Sequence, residues 1–294
     1  MLAQMPVSLS PMARVTLSLC ARSRRRGAFA TLVAIVLSCV LGSGARAEGD
    51  TLRTDWRVDG AVTAAAFAVW GGTQLFESKL APSVCRWCNP GSVDASLRDA
   101  LRWNDTSAAN LASNLGAYLF VPLTTLGLLA LDARREDRLA ELPADGLVIA
   151  EAVALNGALT QIVKFAVGRQ RPFVQALPAD QRPLTAHPAD NNVSFYSSHT
   201  SFAFSLAVST GTVASMRAQR WAPLIWAVGL AGAAAVGYLR IAADQHYFTD
   251  VLVGAAAGSA IGFAVPYGFH RQAGALAVSP VPGGGAMLTV TARL

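Results

Sequence analysis

Six apolar segments recur along this chain, roughly Val62–Phe76, Leu115–Leu131, Leu147–Val167, Phe202–Met216, Leu224–Leu239 and Val251–Tyr267. None alternates with period two, so they read as helices and not as strands. Their lengths of 15 to 21 residues lie at the border between core helices and membrane spans. A mean hydropathy of +0.39 with only 14% charged residues favours the membrane. Leu224–Leu239 is free of charge, whereas Leu147–Val167 carries Glu151, Asn156, Gln161 and Lys164. An ionised group at a span's centre costs about 2.5–3.5 kcal/mol on insertion scales, so these side chains should face protein. Small residues, as in Gly254-Ala-Ala-Ala-Gly258, let helix backbones approach closely. The tail differs: Ala275–Val281, a Pro282-Gly-Gly-Gly285 turn and Ala286–Ala292 read as a short β-hairpin. No solenoid repeat or long linker is present, and the organisation suits one domain.

The net charge of +6 does not signal a nucleic-acid partner. Residues 1–47 hold six arginines and no acid, which leaves 18 basic and 18 acidic residues elsewhere. That stretch has the three parts of a secretory signal: Arg22–Arg26, an apolar run from Ala28 to Leu41, and Ala45-Arg46-Ala47. The alternatives are an uncleaved first helix and a weaker lipoprotein reading at Cys39. Past the leader, only Cys85 and Cys88 remain. Zinc needs about four ligands and a thioredoxin-type role needs a βαβ context, so a local disulfide suits an oxidising compartment best. The expected division is a signal peptide at 1–47, an N-terminal helical part at 48–145, a catalytic core at 146–268 and a tail at 269–294.

Loop charges give a topology. Asp132–Arg138, Arg217 with Arg220, and His270-Arg271 fall in alternate loops, which the positive-inside rule places in the cytoplasm. Loops 168–200 and 240–250 then lie outside. A cleaved leader would also start the mature chain outside. Parity would then keep Val62–Phe76 from spanning, unless the leader is handled differently.

Three polar islands break the apolar pattern, all on the expected outer side. In Lys164-Phe-Ala-Val-Gly-Arg-Gln-Arg171-Pro172 the two cations are seven apart, which places them on one helical face until Pro172 stops the helix. Two such cations suit an oxyanion, although a basic cap on a membrane helix would look the same. In Ser194-Phe-Tyr-Ser197-Ser198-His199-Thr200-Ser201 a helix start offers N–H groups and hydroxyls to an anion, beside a histidine suited to proton transfer. Its plainer reading is a serine-rich N-cap. In Arg240-Ile-Ala-Ala-Asp-Gln-His246-Tyr-Phe-Thr-Asp250 the last two titratable groups are i,i+4. A carboxylate on one imidazole nitrogen raises basicity at the other and makes a nucleophile; a helix-capping ion pair is the alternative. Together the islands supply cations, a nucleophile and an acid, the parts that phosphoryl transfer needs.

On these residues the chain resembles the type 2 phosphatidic acid phosphatase (PAP2) superfamily, which also contains bacterial acid phosphatases and vanadium haloperoxidases. The family signature is K-x6-R-P, then P-S-G-H, then S-R-x5-H-x3-D. Lys164 to Pro172 match the first part; Ser197 and His199 match the second; Arg240, His246 and Asp250 match the third. The resemblance covers about residues 147–267. Tyr196 stands at the Pro position, Ser198 at the Gly position and Leu239 at the Ser position. If the Gly position needs positive φ, Ser198 would be strained there.

The resemblance implies an all-α bundle of five to six membrane-spanning or core helices. It implies that His246 attacks phosphorus, Asp250 orients it, and His199 protonates the leaving oxygen and then activates water. Lys164, Arg171, Arg240, Ser197 and the Ser198 amide would hold the phosphoryl oxygens. No metal or other cofactor is implied. Arg169, Arg182 and His187 match no motif position and read as loop charges. The expected protein is a lipid phosphate phosphatase of a bacterial inner membrane with its site facing the periplasm, meeting membrane lipids and no nucleic acid. The competing readings are a soluble periplasmic acid phosphatase, a vanadium-dependent halide oxidant and a non-catalytic anion-binding membrane protein.

Overall fold

The computed structural model describes residues Leu52–Arg271. The leader and the C-terminal hairpin lie outside the described residues. The hairpin detail is not borne out, and no sheet occurs among residues 52–271. The eight main helices are α1 (Trp56–Leu75), α2 (Ser92–Leu101), α3 (Thr106–Leu115), α4 (Val121–Arg135), α5 (Leu142–Val167), α6 (Ser198–Met216), α7 (Ala222–Ala242) and α8 (Phe248–Ala264). A π-helical turn, Gly116–Phe120, joins α3 to α4 in one rod, Thr106–Arg135. That rod, Leu139–Val167, Ala222–Ala242 and Phe248–Phe269 are four stretches long and apolar enough to cross a membrane. Their outward side chains include Leu111, Leu123, Ile162, Leu224, Leu252 and Phe263, all exposed. Such apolar rods with apolar outer faces are those of a membrane protein.

α6 is the central helix, with 13 of its 19 residues buried. Many of these are Ser or Thr, and their hydroxyls are satisfied inside the helix: Thr210 donates to the Leu206 carbonyl at 2.7 Å and Thr212 to the Val208 carbonyl at 2.7 Å. One side of α6 meets α5 and α7 through Val148, Val153, Leu206, Val213, Ile225 and Val236, the apolar core. The other side meets α8 through small residues. Ser197, Ser201, Ser205 and Ser209 of α6 recur every fourth position and face Gly254, Gly258 and Gly262 of α8. A Cβ at Gly258 would overlap the Ser201 carbonyl oxygen, so only glycine permits this backbone contact.

α1 runs lengthwise beside α5 and in the same direction. Asp59 lies near Glu151, Trp70 packs over Gly157, and Gln74 hydrogen-bonds Gln161. Val62–Phe76 therefore does not lie across the bundle end. At the base, His270 Nδ1 lies 2.8 Å from the Arg53 carbonyl and Nε2 lies 3.2 Å from Glu151, tying both ends of the described chain to α5. The loops after α4 and α6 meet at the same base, where Arg138 donates to the Arg217 carbonyl (2.8 Å) and Arg217 pairs with Asp145 (2.7 Å).

Candidate active site

The three islands converge at the other end of the bundle, by routes that differ from the sequence expectation. α5 does not run on to Pro172. It stops at Gly168, whose φ of 61° makes the left-handed cap. Pro172 instead opens a single turn, Pro172–Gln175, with Arg171 as its N-cap. Lys164 and Arg171 thus do not share a helical face; the turn at Gly168 brings Arg171 back. Both are buried. Arg171 Nη2 pairs with Asp190 at 2.9 Å, its Nε donates to the Asp190 carbonyl at 2.7 Å, and Nη1 donates to Gln245 Oε1 at 3.0 Å. Burial would raise the Asp190 carboxyl, but the Arg171 and Lys164 cations outweigh it and hold the group below the usual carboxylate range. Burial and the nearby Asp190 push the Glu77 carboxyl up.

Ser197 is the N-cap of α6, and its hydroxyl accepts from the Thr200 hydroxyl at 2.9 Å and the Thr200 amide at 3.4 Å. Its own amide donates to the Asp250 carbonyl at 3.1 Å. Ser197 is fully buried and serves the helix start. Ser198 is the first helical residue and is not among the positive-φ positions, so it carries no left-handed strain. Tyr196 is buried, and its hydroxyl accepts from Thr160 at 3.2 Å. His199 Nε2 lies 2.8 Å from Asn114 Oδ1, and its Nδ1 is buried without a partner. Arg240, near the end of α7, sends Nη1 to Asn110 at 2.6 Å and Ser113 at 3.0 Å, leaving Nε unpartnered. Leu239 is only half-buried.

The third island departs most. α8 begins at Phe248, so His246 precedes the helix and the i,i+4 rule does not apply to it. His246 Nδ1 lies 2.8 Å from the Ser194 carbonyl and 3.8 Å from Asp250. A carbonyl only accepts, so Nδ1 carries the proton and donates it there. Nε2 is left unprotonated, buried and without a partner. Burial first, then the Arg171, Arg240 and Lys164 cations, hold this imidazole well below its ordinary pKa.

Asp250 acts one step back. Its Oδ2 accepts from the Ser194 hydroxyl (2.6 Å) and the Tyr247 amide (2.9 Å), closing the start of α8 and fixing the Ser194 peptide that holds His246. Its Oδ1 pairs with Arg169 at 2.5 Å. Arg169 is not a loop charge. It is 1% exposed, reaches Asp94 of α2 at 2.6 Å with its other nitrogen, and lies between the Trp87 ring (3.9 Å) and the Tyr247 ring (4.4 Å). Trp87 lies in the ring closed by a Cys85–Cys88 disulfide. Its carbonyl accepts from the Gln170 amide at 3.1 Å, which stitches that ring to the Gly168–Arg171 turn. Arg182 donates to the Leu177 and Gln175 carbonyls and shapes its own loop, while His187 lines a separate groove with Arg182 and Asn192. Asp244 is held by Arg98 through two 2.6 Å bonds.

Sequence reasoning missed Arg169, Asp94, Asn110, Ser113 and Asn114. The last three had a signal in the Asn110-x2-Ser113-Asn114 spacing on an otherwise apolar rod, whereas Arg169 and Asp94 had none.

The helical bundle thus gathers three buried cations, two histidines and a helix start at one end. Residues 145–273, the segment that carries most of it, match the PAP2 superfamily model. Phospholipid phosphatase 2 of Homo sapiens is 30% identical over 129 residues, covering 37% of this chain and 45% of that protein. The Bos taurus phospholipid phosphatase 2 is 29% identical over 128 residues, with the same coverage. The chain thus spans less than half the length of these relatives. A solved transmembrane PAP2 type phosphatidylglycerolphosphate phosphatase from Bacillus subtilis is similar at 17% identity and a TM-score of 0.40, over 81% of this chain and 92% of that one.

Proposed function

We propose that this protein is a metal-independent phosphatase of lipid phosphate esters that works through a phosphohistidine. The observation that carries the reading is the buried, unpartnered Nε2 of His246 in the company of Lys164, Arg171 and Arg240. In this scheme the three cations hold the phosphoryl oxygens, and Nε2 attacks phosphorus in line with the ester oxygen. As the P–O bond breaks, protonated His199 gives its proton to the leaving alkoxide. Neutral His199 then takes a proton from water, which attacks the phosphohistidine and releases inorganic phosphate and His246. Asp250 is a positioning residue, acting through Ser194. The site end would face the periplasm and the basic loops the cytoplasm. The apolar outer faces of the four long helices favour a lipid substrate over a small soluble ester.

The test is phosphate release from a panel of lipid phosphates in detergent micelles containing EDTA. Activity should persist in EDTA and drop to background in His246→Ala. A strict requirement for Mg²⁺, or full activity in that variant, overturns the reading.

A further inference from the structure

The groups that touch His199 and Arg240 come from α3, outside residues 145–273. Asn110, Ser113 and Asn114 share one face of that helix at i, i+3 and i+4. Arg240 Nη1 donates to Asn110 Oδ1 and Ser113 Oγ. Ser113 spends its own proton on the Asn110 carbonyl at 2.8 Å, so its lone pair is turned to the guanidinium. Asn114 Oδ1 can only accept, so the 2.8 Å bond to His199 Nε2 requires the proton there. Tyr118, one turn further on, packs its ring against His199 with centroids 5.0 Å apart.

We propose that this face of α3 is a positioning element for the reaction: Asn114 fixes His199 with its proton on Nε2, which makes Nδ1 the proton-transferring atom, while Asn110 and Ser113 aim Arg240. The proposal rests on the phosphatase reading given above. A carboxamide suits the task better than a carboxylate. It holds the ring without adding charge, so Nδ1 can release its proton in the first step and regain one from water in the second. The charged or titratable groups around His199 are Arg240, His246, Lys164, Arg171 and Tyr118. Four of these are cations or imidazoles, so a negative group at position 114 would change the balance sharply.

The experiment uses the full chain in detergent, with ¹⁵N-histidine NMR and steady-state kinetics on a lipid phosphate. Wild-type His199 should show the Nε2–H tautomer, and Asn114→Ala should show a mixture. The same variant should lose about tenfold or more in kcat, part of the 10²–10⁴ that a placed acid supplies, with KM changed less than about twofold. Asn110→Ala should do the reverse and mainly raise KM. Asn114→Asp keeps the acceptor and the shape. It should fold where the alanine variant fails, and it should move the alkaline limb of the kcat profile up by about one pH unit. Wild-type His199 protonated on Nδ1, or an Asn114→Ala enzyme with unchanged tautomer and kcat, overturns the proposal. A wild type that releases no phosphate from any lipid phosphate overturns the phosphatase reading instead, and the NMR result still decides the role of Asn114.

Discussion

At the scale of single residues, the site is built on two indirect contacts. His246 is held by a main-chain carbonyl, and Asp250 holds that carbonyl's own loop through Ser194 and Arg169. Arg169 therefore bears two buried carboxylates at once. Arg169→Met should cost about 3–5 kcal/mol, because Asp94 and Asp250 would stay buried without a counter-charge; thermal unfolding in detergent measures it. The pH dependence follows from His246. Burial and three cations depress its pKa, so the proposed nucleophile stays neutral as pH falls through the ordinary imidazole value. The acid limb of the kcat/KM profile, which reports the His246 base, should therefore lie below the ordinary imidazole value of about 6.5. A profile that collapses near pH 7 would contradict the depressed value. Motif spacing made Lys164, Arg171, His199, Arg240, His246 and Asp250 legible in the sequence. It did not make Arg169 legible, because a buried arginine between two aromatic rings and two acids has no local pattern. Its partners stand 75 and 81 positions away.

At the scale of elements, the informative pair is α6 and α8. The glycine spacing of α8 was readable as a close-packing face, but its partner, a serine ladder of the same period on α6, was not singled out. Serines scattered in an apolar helix read as polar interruptions until a facing helix explains them. Gly258→Ala should cost about 1–3 kcal/mol, since the new methyl meets a carbonyl that has nowhere to go. It should also lower kcat by about tenfold or more, because His199 and His246 lie at the starts of these two helices. Gly127→Ala on α4, where a Cβ meets nothing within 4 Å, serves as the control and should leave both values unchanged or raise stability slightly. The end of α5 was misread for a physical reason. Pro172 was visible as a breaker, yet the left-handed Gly168 four positions earlier had already turned the chain.

At the scale of the whole molecule, the site lies at one end of the bundle and both ends of the described chain lie at the other, joined through Arg53 and His270. Six of the eight main helices were legible as apolar segments, and the grouping of the basic loops was legible in charge, whereas α2 and α3 carry too many polar residues to stand out. The full-length course of α1 was not, because its apolar face is short and its polar residues weaken the pattern. Thiol labelling tests the arrangement in a Cys20→Ser, Cys39→Ser background. Ala186→Cys and Arg220→Cys, both at exposed positions, should react with an impermeant reagent from opposite sides of the membrane. Labelling of both from one side would refute it. The glycine–serine contact also bears on how the proposed phosphatase can change over time. The interval between the two histidines is set by main chain against main chain, as by a gauge block. The outer part of the following loop, 176–187, plays no part in setting it, so that stretch can be rewritten to admit a different ester while Asp190 keeps its hold on Arg171.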